Sequence, residues 1–398
     1  MSDAAPPLQT GPIADETRPI SRDRASGSGG LLPALGTRAK AILLSDYFVL
    51  YLTIAYFICL LPFLPALSNP ANLANTLSNV WPLLAVAVGQ TFVLTIGGID
   101  LSQGSVVGLT SVVGAMLLAT AGPVAVLSGA PIWEVFIWEE GGLFSTWPFA
   151  VPLAILVMLL VAGLIGAFNG AAIAYLEMPP FMVTLVGLIV IGAFAIFLTH
   201  SENIRNLPES YIMLGKGELV SLYLGEQDEP RVTRRELHAF ITYPMIIAVS
   251  LCIAAHVLLS RTVFGRHVYA IGTNRRAAEI SGVPVKRVIV LVFVVSAVCA
   301  TIGGLLYSAR LEAGRPTLGE GTFLLDVIGA TVIGGTSLFG GKGKIVWTFF
   351  GVLFFVLLAN TLNLMNLSAF VIDMVKGGVI LAAAFLDVTR TRLLAGSG

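Results

Sequence analysis

Beyond residue 46 the chain stops interleaving polar and apolar positions and gathers its apolar residues into long runs. Ten stand out: 47–67, 80–97, 104–121, 150–174, 180–199, 241–259, 288–309, 323–340, 345–366 and 369–388. A helix needs about 20 apolar residues to cross the hydrocarbon core of a bilayer. The pattern therefore predicts an all-α polytopic membrane protein of about ten transmembrane helices. The runs 80–97, 104–121 and 323–340 are short or interrupted by glycine. Residues 1–45 carry Pro, Ser, Gly and charge without an apolar period and read as a disordered tail. Residues 46–390 form the membrane domain, and 391–398 a second tail.

Composition agrees with the runs. The 398 residues are 56% hydrophobic and 12% charged, whereas soluble domains are about a quarter charged. The 42 glycines suit helices packed closely in lipid. A net charge of zero gives no case for nucleic-acid binding. Cys59, Cys252 and Cys299 all lie in apolar runs, and neither they nor the four histidines have metal-ligand or disulfide spacing.

Lys and Arg orient the spans, because basic loops stay in the cytoplasm. With the N-terminus inside, 15 of the 23 fall in inner segments and 7 in outer ones, and Lys376 lies within a span. Five of the outer seven share the loop 200–240 with seven acids. Both termini are expected in the cytoplasm.

Ten spans divide into two halves of five, and an odd number per half inverts the second. Three echoes point the same way. IGG recurs at 96–98 and 302–304, SQGSVVGLTSVVGA (102–115) resembles GEGTFLLDVIGATV (319–332), and 180–198 resembles 369–387.

Polar groups inside a membrane are costly and mark cavities or partners. In IGGIDLSQGS (96–105), Asp100, Ser102 and Gln103 follow two glycines, so a bent segment lining a protected space is expected. Asp100 or Ser102 capping the next helix is an equal reading. Asn169 is either a cavity residue or a helix–helix bond. Asp326 is the remaining candidate for the solute pathway, which is thus Asp100, Ser102, Asn169 and Asp326. Asp373 and Lys376, three apart on one helix face, are expected to form a buried ion pair.

The most unusual stretch is GRHVYAIGTNRRAAEISGVPVKR, 265–287, between two apolar runs. It holds five of the 23 basic residues. Thr273 or Asn274 caps a short helix through Arg275, Arg276, Ala277, Ala278, Glu279 and Ile280, and Gly282 and Pro284 stop it. Ala277, Ala278 and Ile280 offer a small apolar face, and the arginines suit an acidic partner or lipid phosphates. A nucleotide loop is not present in GGTSLFGGKGK (334–344): Thr336 and Gly343 stand where Walker A requires Gly and Ser or Thr. No catalytic constellation or metal site is visible, so any ATP chemistry belongs to another subunit.

GGIDLSQGS, GAFNGAAIAYLEMPPFMVTL, GRHVYAIGTNRRAAEISGVPVKR and VIGGTSLFGGKG together resemble the permease subunits of ribose/xylose/galactose-type ATP-binding-cassette sugar importers. The resemblance covers about residues 45–390. It implies the importer permease fold, a bacterial inner membrane, and a second copy of the chain. It also implies a cytoplasmic ATPase that binds ATP and Mg, and a periplasmic sugar-binding protein. No cofactor is expected in this chain. The loop 260–287 takes the coupling role, through Gly265, Arg266, Gly272, Asn274, Arg275, Arg276, Ala277, Ala278 and Gly282. The outer loops 122–148 and 200–240 would meet the binding protein. The expected cargo is a pentose, hexose or related polyol. The rival class is an ion-coupled secondary transporter, with Asp100, Asp373 and Lys376 as coupling groups.

Overall fold

The computed structural model describes residues 45, 47–120, 127–223 and 237–395. The expected tail 1–45, the first part of the loop 122–148 and residues 224–236 of the loop 200–240 thus fall largely or wholly outside the described residues.

Each apolar run becomes a helix, started and stopped by local chemistry. Helix α1 is Phe48–Leu60 and α2 is Pro70–Thr95. The run beginning at 80 is only the apolar part of α2. Asn69 accepts the Ala71 N–H and Pro70 fills the first helical position, so the helix starts ten residues earlier. The chain then turns through 96–102 into α3, Gln103–Leu118. Helix α4, Ala150–Tyr175, is separated from α5, Pro180–Thr199, by Leu176-Glu177-Met178-Pro179. Between α3 and α4, β1 (Ile137–Trp138) pairs antiparallel with β2 (Gly141–Gly142). The loop after α5 folds into α6, Glu209–Lys216, and an antiparallel hairpin of β3 (Glu218–Tyr223) and β4 (Leu237–Thr242).

The second half contains α7 (Tyr243–Arg261), α8 (Val263–Thr273), α9 (Arg275–Ile280) and α10 (Val285–Leu311). It ends with α11 (Phe323–Ile333), α12 (Ile345–Leu364) and α13 (Ala369–Ala395). Helix α13 continues through most of the tail expected at 391–398. Six helices, α2, α4, α5, α7, α10 and α12, are long and apolar enough to cross a membrane; α1, α3 and α11 are apolar but shorter. With α13 they account for the ten runs.

Helices α2 and α3 lie inside the bundle: the apolar stretch of α2 is 83% buried and α3 is buried along its whole length, against 22% for α4, α5 and α7 at the perimeter. Helix α2 lies against α10, and the neighbours of the two correspond. Helix α4 packs on α10 as α12 packs on α2, and α3 packs on α10 as α11 packs on α2. Helix α3 touches α4 and α5 as α11 touches α12 and α13. The corresponding helices α2 and α10 run antiparallel, with Pro82 and Val86 level with Gly303 and Gly89 level with Ser296 and Cys299. The two halves are therefore inverted relative to each other. Two of the three sequence echoes fall on corresponding helices, α3 with α11 and α5 with α13. The IGG echo does not: 96–98 is a turn and 302–304 lies inside α10.

The halves also meet closely where α3 begins. The segment 312–322, between α10 and α11, passes along α3 in a series of turns: Ser111 Oγ donates to the Arg315 carbonyl at 2.9 Å, and Gly319 lies on Gly104. A methyl group on Gly319 would strike the Gly104 carbonyl, and Gly319 has φ +90°, so both terms require glycine there.

Candidate functional site

Asp100 sits at the end of the turn between α2 and α3 and is 2% exposed. Its Oδ1 accepts the Ser102 N–H at 3.0 Å and the Ser102 hydroxyl at 2.6 Å. Its Oδ2 accepts the Ser296 hydroxyl of α10 at 2.6 Å. Asn169 Nδ2 of α4 donates to Ser102 Oγ at 3.0 Å, and Gln103 Nε2 donates to Ser296 Oγ at 2.8 Å. The outer amides thus feed the hydroxyls and both hydroxyl protons point to the carboxyl group. Thr184 of α5 donates to the Ile99 carbonyl at 3.1 Å and fixes the same turn.

These bonds decide what the expected pathway residues do. Asp100, Ser102 and Asn169 are brought together, but as a closed, buried hub joining α3, α4 and α10. They do not line an open path. A carboxyl group without such donors would be prohibitively costly here, so its bonding capacity is spent inside the protomer. Ser296 is the member that sequence reasoning missed; one serine in an apolar helix gives no signal of its own.

Asp326 is likewise engaged within the protein. Lys376 Nζ of α13 reaches its Oδ2 at 2.8 Å, and the two side chains are 18% and 13% exposed. The ion pair expected between Asp373 and Lys376 is therefore replaced by one between helices. Asp373 is on the exposed side of α13, while the Lys376 side chain crosses to α11 and its Nζ lies over the Phe355 ring of α12, 5.8 Å from its centre.

At one end of the bundle lie α8 and α9. The Asn274 side chain accepts the Ala277 N–H at 3.0 Å and caps α9; Gly282, at φ +83°, ends the turn that follows. The short helix has the bounds expected from its sequence. Its face differs. Ala278 is 5% exposed and packs inward, and Gly265 is buried as well. Arg266, Asn274, Arg275, Arg276, Ala277, Glu279 and Gly282 are exposed, and Ile280 is 81% exposed. Arg275, Arg276, Glu279 and Ile280 line a shallow concavity. Phe339, in the loop 334–344, is a second exposed apolar side chain beside the turn after α2.

Gly272, half-buried, is part of a joint between backbone segments. The end of α2, the end of α8 and the loop 334–344 meet there backbone to backbone. The Gly341 N–H donates to the Thr95 carbonyl at 2.9 Å. A methyl group on Gly272 would overlap Thr95 O and Gly341 N; one on Gly340 would stand 2.8 Å from Gly272 O and 2.9 Å from Gly97 N. The Tyr269 hydroxyl donates to Gly343 O at 2.5 Å. Only Gly98 and Ile99 separate Gly97 from Asp100, so the joint is covalently continuous with the buried hub.

The opposite end of the bundle carries a polar cavity of about 510 Å³ lined by Asn203, Arg205, Asn206, Glu312 and Arg315 among others. Lys216 pairs with Glu312 at its rim.

Residues 72–384 match the model of the branched-chain amino acid transport system / permease component family. The chain belongs to this permease family. The permease is 35% identical over 326 residues to the ribose import permease protein RbsC of Bacillus subtilis, an alignment spanning 81% of this chain and 86% of RbsC. It is 28% identical to the xylose transport system permease protein XylH of Haemophilus influenzae, over 81% of this chain and 90% of XylH. It is also 28% identical to the D-allose transport system permease protein AlsC of Escherichia coli, over 86% and 90%. No solved structure matches the permease.

Proposed function

We propose that this permease is the membrane-spanning subunit of an ATP-driven importer that carries a monosaccharide across the bacterial inner membrane. Ribose, xylose and allose are the sugars named for its relatives. Its partners are a second copy of itself, a cytoplasmic ATPase that binds ATP and Mg, and a periplasmic sugar-binding protein. The observation that carries the reading is the capped helix α9 at one end of the bundle. It offers Ile280, Arg275 and Arg276 to a partner and is tied through Gly272 to the end of α2. That end faces the cytoplasm in this reading, in line with the distribution of basic residues. The cavity holding Arg205 and Arg315 then faces the binding protein, where paired charges favour rapid, reversible encounter.

The chain itself supplies no hydrolytic chemistry. ATP-driven closure of two ATPases would move α8 and α9. The backbone joint would pass the movement to the turn 96–102, and the Asp100 hub would keep that turn rigid against α4 and α10. Of the groups an ion-coupled carrier would use, Asp100 is held by Ser102 and Ser296 and Lys376 by Asp326, while Asp373 stays on the exposed side of α13, which disfavours ion coupling. Proteoliposomes test the reading. Labelled ribose, xylose or allose should enter only with ATP, the ATPase and the binding protein present. Uptake driven by an ion gradient without those partners would replace it with secondary transport.

A further inference from the structure

The residues expected to line the pathway are occupied elsewhere, so the path needs other walls. A cavity of about 460 Å³ opens where α3, α5, the segment 312–322 and α11 converge. Leu101, Ser105, Leu188, Gly319, Glu320 and Leu325 are among its lining residues. Glu320 is exposed, and its carboxyl group makes no hydrogen bond or ion pair among the described residues. Gly192 of α5 faces it; a methyl group there would stand 3.7 Å from Glu320 Oε1 and 3.8 Å from the Ser105 Cβ.

Depth makes this carboxyl group informative. Gly319 lies on Gly104, and Val107, nearly one turn further along α3, lies against Gly304 of α10. Glu320 is thus level with about residues 300–304 of α10, roughly 10–16 Å along the helix from its end at Leu311. A hydrocarbon core is about 30 Å thick, so this level lies well within it. An ionisable group at that depth is not left facing acyl chains. Irregular backbone at membrane depth, such as 312–322, is likewise tolerated only against protein or a water-filled space.

On the reading that the chain is a sugar permease, we infer that this cavity is a subsite of the sugar pathway. Glu320 accepts hydrogen bonds from sugar hydroxyls there. The ligand class is a neutral polyhydroxylated molecule. Leu101, Leu188 and Leu325 suit the C–H face of such a ring, and Ser105 Oγ, which donates to the Ser102 carbonyl at 2.8 Å, retains acceptor capacity for a hydroxyl. One unneutralised carboxylate among leucines gives a weak passing contact, as a pathway requires.

The test uses the complete complex in proteoliposomes. Glu320→Gln should lower sugar uptake per ATP hydrolysed about tenfold, the scale of one lost charge-assisted hydrogen bond. Glu320→Asp should retain more uptake than Glu320→Leu. In a cysteine-free background, Glu320→Cys should react with a membrane-impermeant thiol reagent, and sugar-loaded binding protein with ATP should slow the reaction. Uptake per ATP within twofold of wild type for Glu320→Gln overturns the subsite. So does an unreactive Glu320→Cys when Glu202→Cys in the exposed loop is labelled. If Glu320→Gln fails to assemble, the labelling result decides. A wild-type complex that moves no sugar removes the parent reading and the subsite together; a competent wild type with an indifferent Glu320 removes the subsite alone.

Discussion

Replacing Ser296 with alanine tests the buried hub directly. The hydroxyl donates to Asp100 Oδ2 at 2.6 Å and accepts from Gln103 Nε2 at 2.8 Å. Its loss strips one donor from a buried carboxyl group; hydrogen bonds to such charged groups contribute about 1.5–3 kcal/mol. It also leaves Gln103 Nε2 with only the Val86 carbonyl at 3.4 Å, and an unsatisfied buried amide costs about 1–3 kcal/mol. The two losses share one network and do not simply add, so the expected destabilisation is about 3 kcal/mol. Thr301→Val on the same helix is the control. Its hydroxyl bonds only to the Ala297 carbonyl one turn back, at 2.9 Å, and its removal should cost about 1 kcal/mol. Titration of the purified permease with SDS in mixed micelles, followed by circular dichroism, measures both. In an Asp100→Asn background the Ser296→Ala penalty should shrink by at least about 1 kcal/mol, since partners in one network couple. Equal penalties for Ser296→Ala and Thr301→Val, or strict additivity with Asp100→Asn, would refute the hub.

Four further outcomes are expected. Gly272→Ala forces a methyl group between Thr95 O and Gly341 N and should cost about 1–3 kcal/mol as overpacking; sugar uptake per ATP should fall with it, read in proteoliposomes. Ile280→Asp should weaken co-purification of the ATPase at least about tenfold while the permease's thermal unfolding stays put, consistent with small effects of exposed substitutions on stability. Ala278→Asp should do the reverse and lower the unfolding temperature. Lys376→Met leaves Asp326 without its partner. A fully buried pair broken in this way costs about 3–5 kcal/mol, and the partial exposure here reduces that to about 2 kcal/mol; adding Asp326→Leu should restore part of it in the same SDS titration.

Much of the bundle was legible because the information was local. Length and hydropathy are properties of single runs, and the ten runs became ten helices. Asn274, Gly282 and Pro284 bounded α9 within a dozen residues of one another. The misplaced assignments concern side chains whose partners lie far along the chain. Asp100 finds Ser296, 196 positions away, and Lys376 finds Asp326, 50 positions away, across two helices. Ala278 looked like surface because alanine in a short helix is neutral about which way it faces. Glu320 was overlooked because a glutamate between glycines reads as a loop, and only its height against α10 separates it from one.

The reach of the Asp100–Ser296 bond has a consequence for how the protein is made. At about 5–20 residues per second, roughly 10–40 s pass between the synthesis of the aspartate and that of its serine partner. By the time the serine is made the first five spans have already been synthesised, and until then the turn at Asp100 is one donor short. The insertion machinery, or water held near the unfinished bundle, has to shelter the turn until α10 arrives. The halves correspond in structure, yet the first cannot be completed before the second is nearly half built.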